Sequence, residues 1–399
     1  MAVGNVGVTE PRLAEAVSRL GTEGAFAVLA RARELERQGR DVIHLEIGEP
    51  DFETPEHVAQ AGIDAIRAGH THYCQTPGLP ELREAAAGSL SASREVDVAP
   101  EGVLVANGAK PFLFFTVLAT CGPGDEVVYP DPGFPIYESA VRFVGATPVP
   151  LPLHEERGFS FDPAELEALL SPRTRLVILN APQNPTGGVI PGGDLTAAAA
   201  AILETPAWVL TDEVYSRITY DVEAPSIASL PGLLERTVLL DGFSKTFAMT
   251  GWRLGYAAVP HALVEPLTRL IVNSTSCVPP FVQLAGVAAL EGPQAPVAEM
   301  VAEFRRRRDY LIPALNAIPG VSCVQPGGAF YAFPNVSKLP VPADELAERL
   351  LDEAGVAVLA GSAFGRHAQD NIRISYATSL PNLERAVERI GALVTQLGA

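Results

Sequence analysis

The sequence predicts an α/β protein, a mostly parallel sheet flanked by helices, with a second, smaller α+β domain. Three observations carry that expectation. Between about residues 48 and 258, short apolar runs rich in β-branched residues alternate with longer segments of helical periodicity, as strands joined by crossover helices do. Beyond about residue 295 the pattern changes to a long amphipathic helix, a few short strand-like runs and further helices. The length, 399 residues, exceeds what one hydrophobic core ordinarily serves and suits two associated domains.

Taken in order, residues 13–38 have a helical pattern and precede a strand-like run at 41–45. This segment is expected to pack with the C-terminal part. The smaller domain is then discontinuous, residues 1–47 with 295–399, around a larger domain of 48–294. The strand candidates of the larger domain are 103–105, 126–129, 176–179, 208–211, 237–240 and 255–259. Most end at polar or Gly/Pro clusters, and open α/β sheets bind ligands outside the carboxyl ends of their strands. The alanine run at 197–201 reads as strong helix former. The smaller domain is expected to hold a helix over 301–315 and strands at 321–324, 329–333 and 372–376. Its basic run, Arg305 to Arg308, recurs within a helical pattern and reads as a solvated helix face.

Composition excludes several classes of function. With 47% hydrophobic and 19% charged residues, the chain is an ordinary globular protein rather than a disordered one. A formal net charge of -18 repels polyanions, against nucleic acid or an anionic membrane surface as partner. Cys74, Cys121, Cys277 and Cys323 lack the paired spacing of a zinc site, and the seven histidines show no HExxH pattern, so no metal is expected. The N-terminus lacks the basic start and apolar core of a signal peptide. No apolar run reaches the roughly 20 residues that span a bilayer. A cytoplasmic protein is expected.

Chemistry concentrates after the strands. Lys245, in Asp241-Gly-Phe-Ser-Lys-Thr-Phe-Ala-Met-Thr-Gly-Trp-Arg253, follows an apolar strand in a short polar turn, where a lysine can condense with an aldehyde. Alone, it fits a solvated surface lysine equally well. The turn Asn180-Ala-Pro-Gln-Asn-Pro-Thr-Gly187 and the segment Thr211-Asp-Glu-Val-Tyr215 add what a pyridinium phenolate needs. Asp212 suits the proton on a ring nitrogen, and Asn184 and Tyr215 suit the phenolate oxygen. Singly, Asp212 would be a helix cap and Asn184 a turn former; the combination is specific.

On these motifs the chain resembles the fold-type I pyridoxal-5'-phosphate (PLP) enzymes, in particular the class I aminotransferases of the aspartate aminotransferase family. The resemblance runs from about residue 29 to the C-terminus. It also includes Gly48-Glu-Pro-Asp-Phe52, Tyr73 followed by Gly78-Leu-Pro-Glu-Leu-Arg83, Asn107-Gly-Ala-Lys110 and Asn371-Ile-Arg-Ile-Ser375. It implies a seven-stranded sheet and PLP held as a Schiff base on Lys245, which also shuttles the substrate α-proton. It implies that Gly108, Ala109 and Lys110, with Ser244 and Arg253, hold the phosphate at a helix start. Phe134 aligns with the residue stacking on the ring, where relatives commonly carry Trp or Tyr. Arg373 aligns with the arginine gripping the substrate α-carboxylate, aided by Asn184 and by close approach of Gly48. Tyr73 is expected to reach the phosphate of a neighbouring subunit in a homodimer.

The expected reaction is transfer of an amino group from an L-amino acid, aspartate- or glutamate-like or of broad range, to a 2-oxo acid. A PLP lyase or bond-forming enzyme, acting for example on S-adenosylmethionine, is the alternative, because Lys245, Asp212 and Arg373 serve each equally. A non-catalytic regulator is disfavoured, since no basic DNA-binding domain is attached. Residues 271–281 carry Asn273, Ser274, Thr275 and Ser276 but no arginine, against one mode of binding a second carboxylate. Lys110 matches a lysine that bacterial relatives use near an acidic side chain. Glu23 and Phe26 belong either to the pocket or only to a helix.

Overall fold

The structure, a computed structural model, describes residues 12–398. The terminus judged not to be a signal peptide lies, through residue 11, outside the described residues. Seven strands form the main sheet: β1 Val103–Ala106, β2 Glu126–Asp131, β3 Thr147–Pro152, β4 Thr174–Asn180, β5 Trp208–Asp212, β6 Thr237–Gly242 and β7 Gly255–Ala258. Their order is β1-β7-β6-β5-β4-β2-β3. Neighbours from β3 through β6 run parallel, and β7 is antiparallel to both β6 and β1.

Side chains alternate faces along each strand, and both faces are covered. Val103 and Val105 join Leu82, Leu90, Val282 and Ala285 in one core. Leu104, Val127 and Leu176 join Phe112, Val117, Val141 and Leu267 in another. Val128, Val177 and Val209 pack with Leu195, Ala198 and Ile202. Burial on both faces makes these strands continuous apolar runs, which is what sequence periodicity detects. β3 escaped it. Pro148, Pro150 and Pro152 interrupt the pattern, and such a strand is tolerated because β3 is an edge, paired with β2 alone.

A further core joins Ile43 and Leu45 to residues between Met300 and Val394, with Tyr215, Ile218 and Tyr220 reaching it from the main sheet's side. Here lie a three-stranded antiparallel sheet, Leu359–Ala360, Ile372–Ser375 and Tyr331–Ala332, and the parallel pair Ile43–His44 with Val356–Ala357. Ala32 and Leu35, from helix Gly24–Arg37, pack with Leu351 and Ala357.

Three expectations are corrected. Residues 321–324 form no strand, only a single bridge from Ser322 to Asn335. The helical pattern of 13–38 divides into Glu15–Ser18 and Gly24–Arg37. Between them the backbone leaves the helix for tertiary partners: Gly21 N donates to Ser139 Oγ at 2.9 Å and Arg19 Nη2 to Phe143 O at 3.1 Å. The basic run is only half solvated. In helix Ala295–Asn316, Arg305 and Arg306 are exposed, whereas Arg307 and Arg308 are 5% and 3% exposed. Arg307 meets Asp51 at 2.6 Å and Glu303 at 2.9 Å; Arg308 meets Asp221 at 2.7 Å and lies over the Tyr220 ring. Acidic partners from distant segments make that burial tolerable. Among the described residues, no helix is long and apolar enough to cross a membrane.

Candidate active site

A cavity of about 460 Å³ opens at the carboxyl ends of the parallel strands. The ends of β4, β5 and β6 line it. Asn180 and Asp212 close β4 and β5 in register, and Asn180 Nδ2 donates to Asp212 O at 2.8 Å while its Oδ1 accepts from Asn184 N at 3.1 Å. Asn180 thus braces the turn that carries Asn184. Strand β6 runs into the one-turn helix Phe243–Thr246, which projects Lys245 into the cavity.

Lys245 is half-buried, and loss of solvation is the main cause that pulls its amine from 10.5 to about 8. Glu49 opposes the shift, and the neighbouring cations Arg373, Arg253 and Lys110 add to it. Its Nζ donates to the carbonyl of Gly48. A side chain at Gly48 would put Cβ 2.1 Å from Tyr331 Oη, so that position requires glycine for space.

Asp212 is buried, and burial pushes its carboxyl up to about 6 against hydrogen bonds from Tyr137 Oη at 2.8 Å and the Val214 amide. The hydroxyls of Tyr215 and Tyr331 lie 2.7 Å apart, and burial pushes both phenols above the ordinary range. Arg373, on strand Ile372–Ser375, is 4% exposed and held between the rings of Tyr331 and Phe364, at 4.6 and 4.9 Å. Its Nη1 donates to Asn184 Oδ1 at 2.9 Å and its Nη2 to the carbonyl of Glu46, while Nε is buried without a partner.

At the far end, helix Lys110–Thr120 begins with Ala109 as its cap residue and Pro111 in its first turn, where no amide donor is required. Gly108 has φ +93°, and a Cβ there would meet Arg253 Nη2 at 2.5 Å. The cradle between them stays open only for glycine. Asn107 Oδ1 is buried there without a partner. Ser244, Phe134, Glu23 and Phe26 also line the cavity. Tyr73 does not: it is 91% exposed.

Sequence reasoning missed Tyr331 and Tyr137. Tyr331 fell within an expected strand with nothing to mark its hydroxyl, and no motif marks Tyr137, three residues beyond Phe134. The helix-start cradle, the cluster of cations and the buried Asp212 fit a PLP group. An anionic phosphate suits the first two, and a cationic ring nitrogen offsets the upward push on Asp212.

Behind Arg373, the buried Glu46 carboxylate accepts from His44 Nδ1 at 2.8 Å, while His44 Nε2 meets Glu36 at 3.1 Å. The Glu46 hydrogen bond is the main cause raising the His44 imidazole from 6.5 to about 9; burial opposes it, and the Glu46 and Glu36 charges support it. A folded-state value above the unfolded one means the contribution to stability is complete below about pH 6.5 and lost as pH rises through about 9. His44→Gln is expected to flatten the fall of melting temperature over that window relative to wild type. Parallel melting curves would contradict it.

Residues 40–390 match the family described as aminotransferase class I and II. An aspartate aminotransferase of Geobacillus stearothermophilus is 41% identical over 386 residues, covering 95% of this chain and 98% of that one. The crystal structure of the aspartate aminotransferase from Rhizobium meliloti superposes with TM-score 0.92 at 38% identity, over 97% of this chain and 99% of that one. The aromatic aminotransferase of Pyrococcus horikoshii OT3 does so with TM-score 0.87 at 40% identity, over 92% and 99%. The chain belongs to the class I and II aminotransferases and is a PLP-dependent aminotransferase.

Proposed function

We propose that this aminotransferase moves the amino group of an aspartate- or glutamate-like amino acid, or of a broad range of amino acids, to a 2-oxo acid, and that Lys245 is its catalytic base. The observation that carries the reading is a half-buried amine of lowered pKa, Lys245, sharing one cavity with a buried, partly unpartnered guanidinium, Arg373. The bound cofactor supplies an electron sink for the charge left when the substrate α-proton departs.

The chain's own groups do the rest. Arg373 binds the substrate α-carboxylate through its planar donors, oriented by Asn184 and by the rings above and below it. Lys245 Nζ would hold the cofactor and, as a free amine, would accept the substrate α-proton. Asp212, steadied by Tyr137, would keep a proton on the ring nitrogen. Asn184 and Tyr215 would donate to the phenolate oxygen. Phe134 would cover the ring, and the backbone amides of Gly108, Ala109 and Lys110, with Ser244 and Arg253, would receive the phosphate, with Gly48 giving the substrate close backbone approach. The exposed Tyr73 completes the neighbouring site in a homodimer, and the protein works in the cytoplasm. Residues 48–294 form the cofactor-binding unit, and residues 1–47 with 295–399 the smaller unit that bears Arg373.

Incubating holoenzyme with single amino acids tests the reaction and its range together. Aspartate or glutamate is expected to convert the visible-absorbing cofactor to its amine form with release of the matching 2-oxo acid. Product release with the visible band unchanged is the signature of elimination, and would overturn the proposal.

A further inference from the structure

Glu23 and Lys110 meet on the wall of the cavity. Glu23 immediately precedes helix Gly24–Arg37 and Lys110 opens helix Lys110–Thr120. Their side chains form an ion pair across 87 residues of chain. Lys110 Nζ also lies 5.1 Å above the Phe134 ring, and the Glu23 charge reaches as far as Arg373. Of the four cations lining the cavity among the described residues, Lys245 and Arg253 are assigned to the cofactor, which leaves Lys110 and Arg373 for carboxylates. Arg373 keeps Nε without a partner, whereas Lys110 already holds a carboxylate of the protein itself.

We propose that Glu23 is a specificity-determining residue, an internal stand-in for the distal carboxylate of an acidic substrate. A dicarboxylate has to displace Glu23 from Lys110; a neutral or aromatic side chain leaves the pair closed and rests on Phe26, Leu113 and Phe134. The inference rests on the amino-acid-binding reading above. The pair is built for exchange. Its side chains are 26% and 42% exposed, and ion pairs so placed are weak. A second carboxylate entering beside an undisplaced Glu23 meets like-charge repulsion. Glu23 lies at a helix start with its backbone extended and no side-chain cap bond, so releasing Lys110 breaks no cap.

The test uses non-reacting ligands and equilibrium binding to the holoenzyme. Maleate stands for a dicarboxylate and 3-phenylpropionate for an aromatic monocarboxylate, each titrated calorimetrically into wild type and Glu23→Gln. The preference for maleate over 3-phenylpropionate is expected to rise about tenfold in Glu23→Gln, the scale of one relieved charge clash. An unchanged or reduced preference overturns the inference. In a Lys110→Met background the Glu23→Gln effect is expected to vanish, and an effect of undiminished size there overturns it as well. Failure of the amino-acid-binding reading is seen separately: no amino acid of the panel then changes the visible band.

Discussion

Lys245→Ala protein, purified and reconstituted with PLP, is expected to lack the visible absorption of lysine-bound cofactor and to lose amino transfer by about 10³-fold or more, the scale of removing a positioned nucleophile and base. The side chain is half-buried in the cavity, so its charge costs lost solvation. Arg373, Arg253 and Lys110 push the same way, and Glu49 only partly restores the charge. The outcome, about 8, leaves a substantial neutral fraction near physiological pH, whereas an exposed lysine at about 10.4 would be almost wholly protonated. A neutral amine is what attack on an aldehyde and acceptance of an α-proton both require. Lys245→Arg is expected to be as inactive as the alanine variant despite keeping the charge, because a guanidinium does not deprotonate in this range. Retention of both the visible band and turnover by Lys245→Ala would sink the assignment.

Much of this site was legible because its residues follow strands that are buried on both faces. A run such as Val209-Leu-Thr-Asp212 announces a strand, and the polar residues at its end announce where a ligand sits. Arg373, inside the strand Ile372–Ser375, was legible only through the resemblance carried by Asn371-Ile-Arg-Ile-Ser375. What remained hidden depends on contacts between segments far apart in sequence. Nothing near Glu23 reveals that it will face Lys110, and nothing in 329–333 singles out the hydroxyl of Tyr331 over its neighbours. Arg307 and Arg308 look like solvated charges until Asp51 and Asp221 arrive from elsewhere. The two-residue strands at Val356–Ala357 and Leu359–Ala360 are too short to show any period, and the sheet partners define them. Cys74, scattered in sequence from the other cysteines, is raised to about 11, chiefly by burial and then by Cys277, a neighbour that linear spacing concealed.

Arg94 is the clearest case of a residue whose importance comes from convergence. It ends helix Pro80–Arg94, and the surrounding run Ser93-Arg-Glu-Val-Asp97 looks like a solvated turn. Its side chain is 5% exposed, with Nε on Glu213 at 2.9 Å and Nη2 on Asp241 and Ser216 at 2.6 Å. Glu213 directly follows Asp212, and Asp241 lies in the strand that leads to Lys245, so one guanidinium ties together the two strand ends that bear Asp212 and Lys245. Glu213 accepts further hydrogen bonds from Thr211 at 2.9 Å and Ser226 at 2.6 Å. Even so, burial holds both carboxyls above their ordinary values, and the Arg94 charge is the main influence opposing it at each. Removing Arg94 strands two buried carboxylates, and breaking a buried pair costs about 3–5 kcal/mol. Arg94→Met is therefore expected to lower unfolding stability in urea by that amount at pH 8. The loss is expected to shrink toward pH 5. Carboxyls whose folded-state values lie above the unfolded ones take up protons in the folded protein first, so their penalty is relieved as pH falls through the folded values. Arg94→Lys restores a charge but not the fork that reaches Glu213, Asp241 and Ser216 at once, and is expected to recover only part of the stability. A methionine variant as stable as wild type at pH 8, or one whose deficit deepens on acidification, would contradict this account of the two strand ends.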